Sequence, residues 1–487
     1  MKTNKISLAA GIAYTFLIYQ EGIGVNILLL NIILIGLQCW IHQQKMLLKS
    51  NLIFSAAALL SSTAALLHGH FLSILANITA LLMLSINLVV ENQNLISNLL
   101  HALYAWISTP FIKFIALFNK TAQQTNQDEL PTEKNINYKF AGIFSALVFI
   151  IFFAIYRNMS AGFDQFIKNL NTEFISLPLI IHYLFGVFLL STFFKPYILN
   201  KLAQSESKLG NYLAKSAYKS YAILGIAITE TTEQYMAKII FFGLNLLLLL
   251  VNLIDTYHLA NQIMPQGLSY SEYVHQGVDA LIWSIILAVS IILWVFRGSQ
   301  NFNQNSHTKT LSYIWIALNV WLILTAAYRN YLYIHETELY TYKRIGVYFF
   351  LACSIIGLFL TFYKIQYQRS NYFLVRTNSF IWFTLLIGAS TINWDKHIAQ
   401  HHINYSLQTN KIADTKYLNK LSYSAYPALA SYWYETNKSS GKSTEMCRLE
   451  AQIFYQVLSD EKKNYSWKSY NLADSQTFTQ LQNLCFK

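Results

Sequence analysis

Long runs of apolar residues, unbroken by the alternation that marks a half-buried strand, recur along the chain. They lie at 7–20, 24–41, 51–68, 70–90, 140–157, 176–194, 239–256, 279–296, 311–328, 345–363 and 376–392. Each approaches the roughly 20 residues a helix needs to cross the hydrocarbon layer. Inside lipid only helices and closed barrels satisfy their own backbone, and continuous apolarity selects helices. The pattern predicts an all-α, polytopic transmembrane protein with about eleven spans. Segment 95–118 is also apolar, but His101, Pro110 and Lys113 interrupt it. A lysine deep in a bilayer is costly, so this segment is expected to lie flat as an interfacial helix.

Polar stretches divide the chain. Residues 1–118 read as a four-span block plus the interfacial helix, and 119–138 as a polar linker. Residues 139–392 form a seven-span membrane domain, and 393–487 a small, soluble, α-helical C-terminal domain. The loop 195–236 is rich in Lys and Ser, and KLAQSESKLGNYLAKSAYKSY within it is expected to be helical on the membrane surface. The start, MKTNKISLAAGIAYTFLIYQ, has a basic and apolar character. It lacks a small-x-small cleavage site before Glu21 and reads as a first span.

Composition removes other classes. Hydrophobic residues make up 54% and charged residues 12%, against about a quarter charged in soluble domains. An aromatic content of 15% excludes a disordered chain. The net charge of +12 does not point to nucleic acid here, because cytoplasmic loops of membrane proteins collect Lys and Arg. With the N-terminus inside and eleven spans, nineteen of the 35 Lys and Arg fall inside and five outside, the rest lying in the tail. That threading makes the C-terminal domain extracytoplasmic. It would not survive if 95–118 also spanned.

Cys39 and Cys353 lie in apolar runs and are expected to be buried small hydrophobes. Cys447 and Cys485 share the tail. In an oxidising compartment they could form a disulfide worth roughly 3–4 kcal/mol; the alternative is two unpaired buried thiols. No span carries a charge near its middle, which disfavours an ion-driven pump. The amides Asn26, Asn31, Asn77, Asn87, Asn245, Asn252 and Asn319 are expected to glue helices together. The one Gly-Lys-Ser, 441–443, has Thr436 where a phosphate loop needs its first glycine. HETE at 335–338 lacks the second histidine of a zincin, and CxxC and GxSxG are absent. No cofactor and no metal is therefore expected, and an enzyme is not the leading reading.

Polar residues gather instead at the span ends that this threading places outside. They occur after Asp255 and His258, in GLSYSEYVHQGVDALIW (267–283), in AAYRNYLYIHETELYTYKRIGVYF (326–349) and in NWDKHIAQHHINY (393–405). These stretches, followed by TKYLNKLSYSAYPAL and YSWKSYNLADSQ, resemble the bacterial multi-pass membrane family called domain of unknown function 4153/4173. The chain departs from that pattern at Trp394, at Glu338-Leu339-Tyr340 and at Val278-Asp279. The resemblance implies a bacterial cytoplasmic (inner) membrane protein with a functional outer face, and no particular activity.

Candidate ligand-binding residues are Tyr270, Glu272, His275, Arg329, Tyr333, Glu338, Arg344 and Asp395. Four readings stay open. The charges could lock loops to helix ends. The arginines could bind an anionic lipid headgroup or wall precursor, because guanidinium suits phosphate and carboxylate. The Glu–His pair could serve a metal or acid–base chemistry. The tail could be a partner-binding or sensing module, with the membrane part as its anchor and transmitter. The alternative to a lipid binder is a membrane-embedded enzyme or flippase-like carrier acting on that same lipid. Beyond the lipid bilayer and such a lipid, the sequence names no protein partner.

Overall fold

A computed structural model of the chain describes residues 2–91, 93–119, 177–213, 221–223, 226–261, 270–302, 307–337, 340–409, 411–441, 443–463 and 465–486, with isolated positions between 142 and 165. The chain divides into two units. The first comprises Met1–Gln93, Ser97–Ala203 and Lys463–Leu472, and the second Asn94–Ile96, Gln204–Lys462 and Ala473–Lys487.

Among the described residues six helices are long and apolar enough to cross a membrane: Lys49–His68, Leu177–Phe194, Glu230–Ala260, His307–His335, Tyr342–Gln366 and Asn371–Ser390. Shorter apolar helices are Lys5–Ile18, Val25–Ile41, Phe71–Asn87 and Ile282–Val295. The expected span at 140–157 lies outside the continuously described residues. Polarity is inverted relative to a soluble fold. Leu246, Leu247, Leu250 and Leu253 are exposed, whereas Asn245 and Asn252 on the same helix are buried. Such an arrangement suits lipid, where amides bond between helices and leucines face the solvent.

The first unit contains α1 (Lys2–Ile18), α2 (Val25–Ile41), the short α3 (Gln43–Met46), α4 (Lys49–His68), α5 (Phe71–Asn87), most of α6 (Leu95–Asn119) and α7 (Leu177–Phe194). Asn31 and Asn77 exchange amide hydrogen bonds at 3.1 and 3.0 Å, joining α2 to α5, and Asn77 also donates to the Ala58 carbonyl of α4. Cys39 faces outward, because the buried stripe of α2 runs through Asn26, Leu30, Asn31, Leu34 and Gln38. The expectation that it is buried is corrected on that register. Where α1 crosses α7 the contact rests on glycine: a Cβ on Gly186 would lie 2.3 Å from the Tyr14 ring, and one on Gly11 2.4 Å from Val187.

Among the described residues α6 bonds to residues near the ends of α5 and α7. Ala102 and Ala105 pack on Ile86 near the end of α5. His101 Nδ1 accepts from Leu199 N–H at 3.2 Å, and Thr109 Oγ1 accepts from Tyr197 N–H at 3.0 Å. Lys113 Nζ donates to the Ser191 carbonyl in the last turn of α7.

The segment Lys463–Leu472 is stitched onto the turns of this unit. Val25 N–H donates to the Tyr470 carbonyl, and Asn471 Nδ2 donates to Ala65 O at the end of α4, both at 3.0 Å. Ser466 donates to Glu21 through its hydroxyl at 2.7 Å and its N–H at 3.1 Å, and Lys468 Nζ lies 2.9 Å from the same carboxylate. Burial pushes the Glu21 carboxyl up, but hydrogen bonds from Ser469, Ser466 and Lys468 outweigh it and hold it at about 2, below the ordinary 4.5.

The second unit contains α8 (Asn200–Ser207), a hairpin of β1 (Tyr221–Ile223) and β2 (Ile226–Ile228), α9 (Glu230–Ala260), α10 (Tyr270–Val295), α11 (His307–Thr337), α12 (Tyr342–Gln366) and α13 (Asn371–Ser390). Within the surface helix expected after residue 200, the described residues are helical only to Ser207, and 214–220 lie outside the described residues. The chain leaves α8 after Ser207, and residues 211–213 pair along 368–370 through Tyr212 and Arg369. Helices α9 and α11 run parallel. Asn245 Nδ2 bonds Leu311 O, and Asn252 Nδ2 bonds Leu318 O, each at 2.9 Å. A seven-residue step on both helices keeps one seam facing the other. Phe241, Ile292, Phe296, Trp315, Ile323 and Leu358 fill the core.

The tail folds as α14 (Trp394–Thr409), α15 (Thr415–Leu418), α16 (Tyr426–Ser439), α17 (Thr444–Lys462) and α18 (Leu472–Phe486). Ile398, Ala399, Leu418, Ala425 and Leu429 form its core.

Candidate ligand-binding site

The site lies where the apolar runs of α9 and α11 end. Asp255 and Arg329 flank the boundary of runs 239–256 and 311–328. Because the helices are parallel, both side chains emerge at the same end. Arg329 Nη2 donates to Asp255 Oδ2 at 2.6 Å, with side-chain exposures of 9% and 21%. This is a short, charge-assisted pair.

The pair lines one end of a cavity of about 490 Å³ between α9, α10 and α11. Leu244, Leu248, Leu287 and Trp315 line it, and Ser284 adds a hydroxyl. From Leu244 to Asp255 the wall follows α9 for about 16 Å at 1.5 Å per residue. The cavity is thus an apolar slot with opposite charges at its end.

One turn beyond, Tyr333 is buried and the Arg344 guanidinium carbon lies 3.6 Å from its ring centroid. Arg344 is itself buried, and its carbonyl accepts from Asn330 Nδ2 at 3.3 Å. This is a cation–π lock between α11 and the first turn of α12. Asp395 accepts from Tyr342 Oη at 2.7 Å and from Ser422 N–H at 2.9 Å. It ties the start of α12 to the tail. His402 Nε2 lies 2.8 Å from the Tyr340 carbonyl, and burial pushes the neighbouring His401 imidazole down.

The predicted residues therefore separate by role. Arg329 borders the cavity. Tyr333 and Arg344 form one lock, and Asp395 another. Tyr270, Glu272 and His275 belong to the first turns of α10, but their side chains lie outside the described residues, as do those of Glu338, Cys447 and Cys485. Among the described residues no three His, Cys, Asp or Glu converge as a metal site.

Sequence reading placed Asp255 at this end of the spans without pairing it to Arg329, 74 residues away. It also missed Glu21. The available signal was a lone acid between two apolar runs and a Ser-Trp-Lys-Ser stretch far downstream.

The family model described as Domain of unknown function (DUF4153) matches residues 54–432, a stretch that contains Asp255, Arg329, Arg344 and Asp395. No curated protein and no solved structure matches the chain.

Proposed function

The chain belongs to the DUF4153 family, and on that premise we propose that it is a helical membrane protein that holds a lipid at the outer face of a bacterial cytoplasmic membrane. The lipid's chain lies in the slot between α9, α10 and α11, and its polar head meets Asp255 and Arg329. The observation that carries this reading is the slot itself: about 490 Å³ of largely apolar space lined at one end by an ion pair. Ligand sites commonly combine apolar walls with a few fixed polar groups. An arginine at the outer end of a span sits on the side that basic residues avoid. A polar lipid head gives it a reason to be there.

The other arginine contributes differently. Arg344 is committed to the Tyr333 ring, so it shapes the site and does not contact the lipid. The test is lipid content. Protein extracted in mild detergent is expected to carry phospholipid by native mass spectrometry. Ser284→Trp, which fills the slot, should remove it. Leu246→Trp, on an exposed face of α9, should not. Equal lipid content in all three proteins would sink the proposal.

A further inference from the structure

We infer that the head group received at Asp255 and Arg329 is a zwitterion carrying a phosphate and a primary amine. The inference rests on the lipid reading above and specifies its head group.

The charges decide the class. The end of the slot presents one carboxylate and one guanidinium, their bonded atoms 2.6 Å apart. A head group with only a negative charge would reach Arg329 by placing that charge beside Asp255, where like charges repel. A purely cationic head would meet the same penalty at Arg329. A phosphate–ammonium dipole laid antiparallel to the pair satisfies both. Its phosphate faces Arg329, its ammonium faces Asp255, and the four charges alternate. Guanidinium can serve more than one oxygen acceptor, and carboxylate accepts several N–H donors. A primary ammonium supplies three such donors, whereas a trimethylated one supplies none. The amine is therefore primary.

Depth agrees with this assignment. Both residues stand at the end of a largely apolar run, 239–256 and 311–328. That is the level at which a phospholipid changes from chain to head. The slot continues from the pair toward Leu244 along α9, so a head seated on the pair directs its chain into it.

The experiment uses the full-length protein in detergent micelles, delipidated and titrated with phosphatidylethanolamine, phosphatidylcholine and phosphatidylglycerol of identical chains. Bound lipid is counted by native mass spectrometry. Phosphatidylethanolamine is expected to bind at least about tenfold more tightly than the other two. Soluble phosphoethanolamine, which has no chains, should compete weakly. Asp255→Asn leaves a net positive pair and should shift the preference toward phosphatidylglycerol. If that variant does not fold, the lipid comparison on the unaltered protein decides alone.

Phosphatidylglycerol binding as well as or better than phosphatidylethanolamine would overturn the zwitterion assignment and leave the lipid reading standing. Equal binding of phosphatidylcholine would overturn the primary amine. Competition by phosphoethanolamine as effective as that of the lipid would remove the slot from the proposal. No binding of any lipid would overturn the parent reading together with this one.

Discussion

At the residue scale the charges in this chain are consumed locally. Among the described residues four lysines donate to carbonyls at helix ends: Lys45 to Leu88, Lys113 to Ser191, Lys364 to Phe296 and Lys468 to Phe16. A positive group there satisfies orphan carbonyls and opposes the helix dipole. The Asp255–Arg329 pair is the sharpest case for mutation. Removing one member of a buried pair costs about 3–5 kcal/mol, and the 21% exposure of Asp255 brings the expectation to the lower end of that range. Arg329→Gln should therefore lower the melting temperature in detergent markedly. The double variant Asp255→Asn/Arg329→Gln should recover much of the loss. If the double variant melts as low as the single one, the pair is not what holds the helices together there.

Glu21 makes a second prediction, in pH. Its carboxyl is held at about 2 in the folded chain against an ordinary 4.5. A depressed acid contributes stability that is present above 4.5 and is lost as pH falls toward 2. Protection of the Ser466 and Val25 amides from hydrogen exchange should fall over that window. Glu21→Gln should flatten the pH dependence. A profile that is unchanged in the variant would assign the acid sensitivity elsewhere.

Sequence alone reached the identity of such residues but not their partners. Arg329 and Asp395 were visible as polar groups at span ends. That Asp395 serves Tyr342 and Ser422 follows only from folding, because it is 53 and 27 residues away from them.

At the element scale the helices were the most legible feature. Twenty apolar residues in succession leave the backbone few alternatives in lipid. The amides expected to join helices do so in Asn31–Asn77, Asn245–Leu311 and Asn252–Leu318. Legibility failed where the chain is polar. Charge patterning after residue 200 suggested a long helix, but residues 211–213 pair with 368–370 instead, and no pattern in the loop itself encodes that partner.

The crossing of α1 on α7 was also hidden, since a glycine in an apolar run has many uses. Gly186→Leu should be severe. Even its Cβ would meet the Tyr14 ring at 2.3 Å, a contact that must force the helices apart. Overpacking of this kind typically costs about 1–3 kcal/mol or more. Gly36→Leu, at a position with open space around it, is the control. Melting temperatures that fall equally in both variants would refute the close crossing.

At the scale of the whole molecule the stitching of Lys463–Leu472 constrains how the chain threads the bilayer. This segment bonds to Glu21, Gly22 and Val25 between α1 and α2, and to Ala65 at the end of α4. Two stretches in contact lie on one side of the membrane, so an even number of crossings must separate them. The eleven-span reading places ten crossings between residue 24 and the tail. Letting 95–118 cross as well would make the number odd. Among the described residues α6 meets Ile86 and Ser191 in the last turns of α5 and α7, and Tyr197 and Leu199 just beyond α7. We therefore expect a side-specific reporter after residue 487 and one inserted between Ile18 and Val25 to score on the same face. With the N-terminus inside, that face is the exterior. Opposite scores would mean either that α6 crosses or that an apolar helix assigned as a span does not, and the outer-face position of Asp255 and Arg329 would be withdrawn with them. A cysteine replacing Trp467, which is exposed, offers the decisive check on intact cells. Modification by an impermeant thiol reagent places the stitched segment outside, whereas modification only after permeabilisation places it inside and reverses the face on which the lipid is sought.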